Sequence, residues 1–155
     1  MYLRGPMKRI LDSRKLLNAE KDTDLANLKL IYRNLIKEWH PDKFQDEQKK
    51  EEAEVTSKSI IEAYHLLVSV NPETHASNAE AYTLTTMTSS IEDFSYKGQT
   101  LKVTFHDGSV YEYFGVPKNI YTKLINSPIQ ARFARRHIFN SYLYRNVSKS
   151  AMVMA

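Results

Sequence analysis

The chain has 155 residues, a length that fits one domain or two small ones and argues against a single large enzyme fold. Its 42% apolar and 26% charged residues exclude a disordered or collagen-like chain, and the absence of cysteine excludes disulfides, thiolate zinc sites and cysteine nucleophiles. The net charge of +4 is unevenly distributed, because residues 1–87 sum to −1 and residues 88–155 to +5, and 11 of the 17 aromatic residues lie after Thr88. Two units are therefore predicted.

Helical periodicity dominates the N-terminal part of the chain. Apolar residues among charges predict a first amphipathic helix over residues 6–19. Thr23 or Asp24 can cap a second helix, which is predicted to end near His40, before Pro41. A third helix covers about residues 46–70. The first 17 residues carry six charges and no long apolar run, so we predict no signal peptide or membrane helix and expect a cytoplasmic protein.

The pattern changes after the third helix. Residues 71–88 are rich in small polar residues, and we interpret them as a linker with room for a short helix. Alternation of apolar and polar residues then predicts a strand at 91–96 and a hairpin over 101–114 with a two-residue turn at Asp107-Gly108.

Two prolines complete the pattern of the C-terminal part. Pro117 and Pro128 suit the first turns of two further helices, and Ser127 can cap the second of them. The predicted fold class is therefore α+β: an all-α unit at residues 1–70, then a small domain at 89–149 with an antiparallel β-meander and two helices. A frayed tail is expected at 150–155.

The loop between the second and third predicted helices contains the tripeptide His40-Pro41-Asp42. Tyr32-Arg33 precedes it and Ala63-Tyr64 follows in the third helix. With these flanks, the segment from Leu28 to Leu67 resembles the J domain of DnaJ-like co-chaperones, whose signature is His-Pro-Asp between two antiparallel helices. The resemblance implies that the chain recruits a seventy-kilodalton heat-shock chaperone of the DnaK type and stimulates its ATPase.

Two groups of residues are candidates for chaperone binding. His40, Pro41 and Asp42 lie on a loop tip that has no core to serve, which favours a recognition loop over a plain turn. Lys29, Arg33 and Lys37 are four residues apart and so project from one face of the second helix. The resemblance implies that this face docks on an acidic surface of the chaperone, and a merely solvated face is the alternative.

The match to the J domain has departures. Ser57 stands where the family usually has a phenylalanine, and Glu38 stands where a basic residue is common. The tyrosine-rich first helix of the family is not recognisable in this chain. Phe44 or Trp39 could fill the volume that the missing phenylalanine leaves.

A second resemblance begins at Tyr111-Glu112-Tyr113 on the return strand of the predicted hairpin. Together with a later basic and aromatic stretch, this motif resembles the KTSC domain, which occurs at the C terminus of some lysyl-tRNA synthetases and alone in small bacterial proteins. The resemblance implies a module for targeting or for binding a client or RNA. The later residues that carry the resemblance are Ala131, Phe133, Ile138, Tyr142, Tyr144 and Arg145.

Strand alternation leaves two arrangements of these tyrosines. If Val110 and Phe114 face the core, Tyr111 and Tyr113 are exposed and can stack on bases of single-stranded RNA while arginines meet phosphates. If the small domain needs the tyrosines for its core, this surface does not exist. The candidate RNA-binding residues are Tyr111, Tyr113, Arg132, Arg135, Arg136, Tyr144 and Arg145.

No catalytic, metal-binding or cofactor-binding constellation is predicted. The four glycines form no phosphate-binding loop, and the five histidines lack the spacing of a zinc site. The chain is therefore expected to be a co-chaperone and not an enzyme. The alternative is an RNA- or ribosome-associated binding protein in which the J-like hairpin is only a docking scaffold.

Overall fold

Residues 6–148 are described by the structure, a computed structural model. They divide into two units, one of residues 9–74 and one that contains residues 75–148 together with residues 6–8. The frayed tail predicted at 150–155 lies outside the described residues.

Three helices provide most of the first unit, and each was predicted. Helix α1 spans Pro6–Leu17, α2 spans Leu25–Trp39 and α3 spans Glu47–Ser69. Asp24 caps α2 and Asp46 caps α3, each through a carboxylate oxygen that accepts the backbone N–H three residues later, at 2.8 and 3.2 Å. The capping signals in the sequence thus fix both helix starts.

The core of the first unit lies between these helices. Tyr32 of α2 stacks on Tyr64 of α3 with ring centroids 4.1 Å apart. Helix α1 contributes the buried aliphatic side chains of Ile10 and Leu17 to this core. The buried apolar residues of this unit are Ile10, Leu17, Leu28, Ala53, Ile60, Ala63, Leu66, Leu67 and Val70.

The segment interpreted as a linker, residues 71–88, forms two helices: α4 at Pro72–Ser77 and α5 at Ala79–Thr88. Tyr82, Thr85 and Thr86 of α5 are buried. These positions are three and four residues apart and so share one helix face. Much of the segment predicted as a linker is therefore part of the second unit. The small polar residues around Tyr82 resemble a linker sequence, so this helix was not recognised as part of the core.

The second unit is built on a four-stranded antiparallel sheet with strand order β1-β2-β3-β4. The first three strands are Ile91–Lys97, Thr100–Phe105 and Val110–Phe114, close to the prediction. The fourth, β4 at Leu143–Asn146, was not predicted. All four of its residues are half-buried, so no alternation of apolar and polar residues marks it in the sequence.

The hairpin between β2 and β3 has a three-residue turn and not the predicted two-residue turn. The Phe105 N–H donates to the carbonyl of Ser109 at 2.9 Å, which leaves residues 106–108 as the loop. Gly108 has a φ of +92° and donates to the Phe105 carbonyl at 3.0 Å. This is a tight turn followed by a glycine with positive φ, the commonest three-residue hairpin.

Helices α6 and α7 span Lys118–Ile125 and Gln130–His137. Helix α6 begins directly after Pro117, which is its N-cap residue and not, as predicted, part of its first turn. Helix α7 begins two residues after Pro128, and Ser127 does not cap it, because the Ser127 hydroxyl donates instead to the carbonyl of Ile129 at 3.3 Å.

The core of the second unit packs one face of the sheet against helices α5, α6 and α7. It is strongly aromatic, as the composition after residue 88 suggested. The buried members of this core are Tyr82, Leu101, Val103, Phe105, Tyr111, Tyr113, Val116, Leu124, Ala134, Ile138 and Phe139.

Within residues 6–148, no helix is long and apolar enough to cross a membrane.

Candidate functional site

The His40-Pro41-Asp42 loop connects α2 to α3. His40 leaves the helix with an extended backbone, at φ −63° and ψ 130°, as the following proline requires. Pro41–Lys43 then forms one turn of 3-10 helix with Pro41 at its first position, where its missing N–H is not needed. The local sequence therefore sets the shape of the loop.

A hydrogen bond within the loop holds the side chain of His40 but not that of Asp42. The Asp42 N–H donates to Nδ1 of His40 at 3.2 Å, so a neutral His40 ring carries its proton on Nε2. The Asp42 carboxylate lies 3.7 Å from the same Nδ1, which is too long for a hydrogen bond. The turn is closed by the Lys43 N–H, which donates to the His40 carbonyl at 3.0 Å.

Both polar side chains of the loop face solvent. The side chain of His40 is 52% exposed and that of Asp42 is 83% exposed. An imidazole N–H donor and a free carboxylate thus lie two residues apart on a fixed turn. This arrangement can donate to one group of a partner and accept from a cationic group of the same partner.

The base of the loop is held by α3 and by an aromatic pair. The Ser57 hydroxyl of α3 donates to the carbonyl of Trp39, the last residue of α2, at 2.7 Å. The Trp39 and Phe44 rings flank the loop and stack with centroids 6.4 Å apart. Sequence reasoning considered Trp39 and Phe44 as a replacement for the missing family phenylalanine, but it did not find the Ser57 bond.

Lys29, Arg33 and Lys37 are all exposed along α2. Within the described residues none of them forms an ion pair. The structure thus leaves three positive charges free on one side of the helix that leads into the loop. Like charges four residues apart destabilise an isolated helix slightly, so helix stability does not explain this row.

Tyr111 and Tyr113 do not form an exposed pair, because Tyr111 is 4% exposed and Tyr113 is fully buried. The strand register explains this placement. Tyr113 lies opposite Leu101 and Tyr111 lies opposite Val103, and residues directly opposite each other share a face of the sheet. The tyrosines therefore belong to the core, and the predicted base-stacking surface on this strand is absent.

The hydroxyl groups of the buried tyrosines are satisfied within the protein. Tyr82 donates to the carbonyl of Phe139 at 2.6 Å and lies 2.8 Å from the hydroxyl of Tyr113. Burial raises the pKa of both Tyr82 and Tyr113, although this hydrogen bond opposes the shift at Tyr82. Both groups therefore stay neutral donors at physiological pH.

Tyr144 lies in a stack of three rings. His75 packs on Tyr144 at 4.2 Å, and Tyr144 packs on Tyr82 at 4.0 Å, both nearly parallel. His75 Nε2 also lies 2.7 Å from the Tyr144 carbonyl, and burial lowers the pKa of His75 although this hydrogen bond opposes the shift. With a ring on each side, Tyr144 has no free face for a nucleic-acid base.

The four candidate arginines differ in their surroundings. Arg145 forms an ion pair with Glu112, whose carboxylate accepts from the Arg145 Nε at 2.8 Å and from its Nη2 at 2.7 Å. Arg132 and Arg136 are exposed on α7, Arg135 is half-buried there, and none of these three forms an ion pair with a described residue. The Arg145 prediction is therefore corrected, while the α7 arginines remain free.

One sequence signal at this surface was missed. No aspartate or glutamate follows Glu112, so the last 43 residues of the chain contain seven basic residues and no acidic one. Any acidic side chain that pairs with the α7 arginines must therefore come from Glu112 or from earlier in the chain. The positive net charge of residues 88–155 showed that basic residues are in excess there, but it did not show that acidic residues are absent after Glu112.

Comparison with known protein families identifies both parts of the chain. The model of the DnaJ domain matches residues 14–77, and the model of the KTSC domain matches residues 87–142. The chain carries a J domain followed by a KTSC domain.

Curated relatives match the chain over about 60 residues each. One is a lysine–tRNA ligase of Nostoc punctiforme, 39% identical over 37% of this chain and 11% of that protein. A second is the chaperone protein DnaJ of Mesomycoplasma hyopneumoniae, 40% identical over 36% of this chain and 16% of that protein. A third is DnaJ homolog subfamily B member 6 of Gallus gallus, 38% identical over 37% of this chain and 17% of that protein. The matches thus span 11–17% of the length of these relatives.

The two family matches leave part of each structural unit uncovered. The J domain match begins in the last turn of α1, which agrees with the lack of family tyrosines in that helix. Residues 78–86 lie between the two matches, yet they include Tyr82 of the KTSC core. Strand β4 lies beyond the KTSC match. A single aromatic residue in a polar stretch was the available signal for α5.

Both domains present exposed charged side chains. Across residues 6–148, no three histidine, aspartate or glutamate side chains are grouped so that they could hold a metal ion. The J domain presents an exposed imidazole, a free carboxylate and a row of cations. The KTSC domain presents the exposed arginines of α7.

Proposed function

We propose that this chain is a DnaJ-like co-chaperone that recruits a seventy-kilodalton heat-shock chaperone of the DnaK type and stimulates its ATPase. The observation that carries the proposal is the exposed His40-Asp42 turn, whose carboxylate has no hydrogen-bonding partner within the loop. The DnaJ domain match over residues 14–77 supports the same function. In this proposal the KTSC domain selects the client or the location.

Binding and stimulation are assigned to different parts of the J domain. The row of Lys29, Arg33 and Lys37 supplies long-range attraction to an acidic surface, which mainly sets the association rate. The His40-Asp42 turn makes short-range, directional contacts that trigger hydrolysis. The first test is a steady-state ATPase assay of a DnaK-type chaperone with and without the full chain, in which we expect a higher rate with the chain.

Reversal of the cationic row is expected to weaken chaperone binding. The triple variant Lys29→Glu, Arg33→Glu, Lys37→Glu should lose affinity most at low salt, because exposed charges are screened over a Debye length of about 10 Å at 0.1 M salt. Binding is measured by titration at two salt concentrations.

The matched control for that variant changes the net charge equally on another helix. Lys49, Lys50 and Lys58 are exposed on α3, and their reversal to glutamate should leave binding much closer to that of the unchanged protein. Equal losses in the two triple variants would mean that the α2 face has no specific role.

RNA or ribosome binding by the KTSC domain is the alternative function, and one observation favours it. Arg132 and Arg136 are exposed, without ion pairs among the described residues, in a region of the chain that lacks acidic residues after Glu112. Because Tyr111, Tyr113 and Tyr144 cannot stack on bases, such binding would depend on phosphate contacts and be sequence-independent.

Titration of the full chain with mixed-sequence RNA tests this alternative. If α7 contacts phosphates, affinity should fall as salt rises, and Arg136→Glu should weaken binding and reduce the slope of log K against log salt by about one. Lys97→Glu is the control, because Lys97 is an equally charged, exposed residue on β1. Absence of binding at low salt would leave the co-chaperone proposal as the only one supported.

A further inference from the structure

The hydroxyl of Ser57 bonds to the end of a neighbouring helix. It lies on α3, yet its hydroxyl donates at 2.7 Å to the carbonyl of Trp39, the residue directly before His40. The last carbonyls of a helix have no partner within that helix. Ser57 therefore satisfies a helix-end carbonyl of α2 from a neighbouring helix.

This bond fixes the peptide unit from which the loop starts. The Trp39 carbonyl and the His40 N–H belong to the same planar peptide group, so anchoring the oxygen limits rotation at the point where His40 turns away from α2. In the next hydrogen bonds of the loop, the Lys43 N–H donates to the His40 carbonyl and the Phe44 N–H donates to the Pro41 carbonyl. Each of these depends on the orientation of the preceding peptide.

The remaining support at this point is aromatic and less directional. The Trp39 and Phe44 rings stack at 6.4 Å, a contact that tolerates sliding, whereas a 2.7 Å hydrogen bond with part-buried partners does not. The phenylalanine usual in the family at position 57 could supply apolar contact but no donor.

We infer that Ser57 is the positioning residue of the His40-Asp42 turn, which it holds through the Trp39 carbonyl in the conformation that exposes His40. The effect on chaperone stimulation rests on the proposed function, while the effect on the loop itself does not. In this inference Ser57 affects the chaperone through the position of His40 and does not itself contact the chaperone.

Amide hydrogen exchange of the full chain, followed by NMR, tests the structural part of this inference. Ser57→Ala should speed exchange of the Lys43 and Phe44 amides about fivefold, the factor that corresponds to one typical net hydrogen bond. Ser59→Ala is the matched control, because Ser59 is exposed on the same helix and donates no described hydrogen bond. Unchanged loop exchange in Ser57→Ala would overturn the inference, and so would equally faster exchange throughout α3.

The ATPase assay tests the functional part. Ser57→Ala should lower the maximal stimulation of a DnaK-type chaperone while the concentration for half-maximal stimulation stays nearly constant, because the cationic row on α2 is unchanged. Ser57→Thr, which keeps a hydroxyl, should restore most of the stimulation. Faster loop exchange without any stimulation by the unchanged protein would refute the proposed function and leave the role of Ser57 in the loop intact. Full stimulation by Ser57→Ala would overturn the positioning role.

Discussion

Replacement of Tyr113 by alanine is expected to lower the free energy of unfolding of the KTSC domain by about 3–5 kcal/mol, the usual cost of removing a buried large aromatic side chain. Tyr113 is fully buried and packs against Phe139 and Tyr144 at centroid distances of 5.5 and 6.0 Å. A small domain has a total stability of roughly 5–15 kcal/mol, so the variant loses much of it. The measurement is amide exchange of β2 and β3, with the amides of the J domain as an internal reference.

Tyr113→Phe separates the volume of the side chain from its hydroxyl. This variant keeps the ring and loses only the contact with the Tyr82 hydroxyl, which retains the Phe139 carbonyl as a partner. Its cost should be about 1 kcal/mol, that of a typical hydrogen bond. A Tyr113→Ala protein as stable as the unchanged one would contradict the buried position of this residue.

Replacement of His40 by glutamine is expected to abolish stimulation of the chaperone ATPase while the melting temperature stays nearly constant. The side chain is 52% exposed and supports no core, so its removal costs little stability. The glutamine side chain can still accept from the Asp42 N–H and donate through its NH2 group, so a loss of stimulation would show that the chaperone requires the imidazole ring itself. ATPase rates and thermal melts of the same preparations provide the two measurements.

Asp42→Asn provides a second, independent variant of the same turn. It keeps the size of the side chain and removes its charge, and it should also abolish stimulation if the carboxylate meets a cationic group of the chaperone. Gln45→Ala is the control, because Gln45 is exposed just beyond the turn and makes no described hydrogen bond. Normal stimulation by a folded His40→Gln protein would remove the proposed mechanism.

Much of the fold follows from local sequence signals. Asp24, Asp46 and Pro41 fix helix boundaries through interactions within four residues, and such signals are visible without a structure. Strand β4 was not predicted, and α5 was anticipated only as a linker with room for a short helix, for the opposite reason. Both are placed by distant partners, such as the Tyr82 contacts with Tyr113 and Phe139, which no local pattern contains.

The candidate site was predictable to a similar degree. The His40-Asp42 turn and the α2 cations could be named as candidates because a short motif and a four-residue helical spacing are both visible in the sequence. The orientation of Tyr111 and Tyr113 could not be decided, because strand alternation defines two faces without saying which one is buried. The Ser57 bond depends on how α2 and α3 align, which the sequence does not specify.

Trp39 gives the chain a built-in optical reporter. It is the only tryptophan of the sequence, it is half-buried, and it lies next to His40 with its ring stacked on Phe44. Indole emission depends on the water and the charges around the ring. We therefore expect a partner that binds the loop to change the fluorescence of this residue. The aromatic core of the KTSC domain contains no tryptophan and adds no signal under selective excitation of indole. Docking at the turn can therefore be followed in real time on the unlabelled protein.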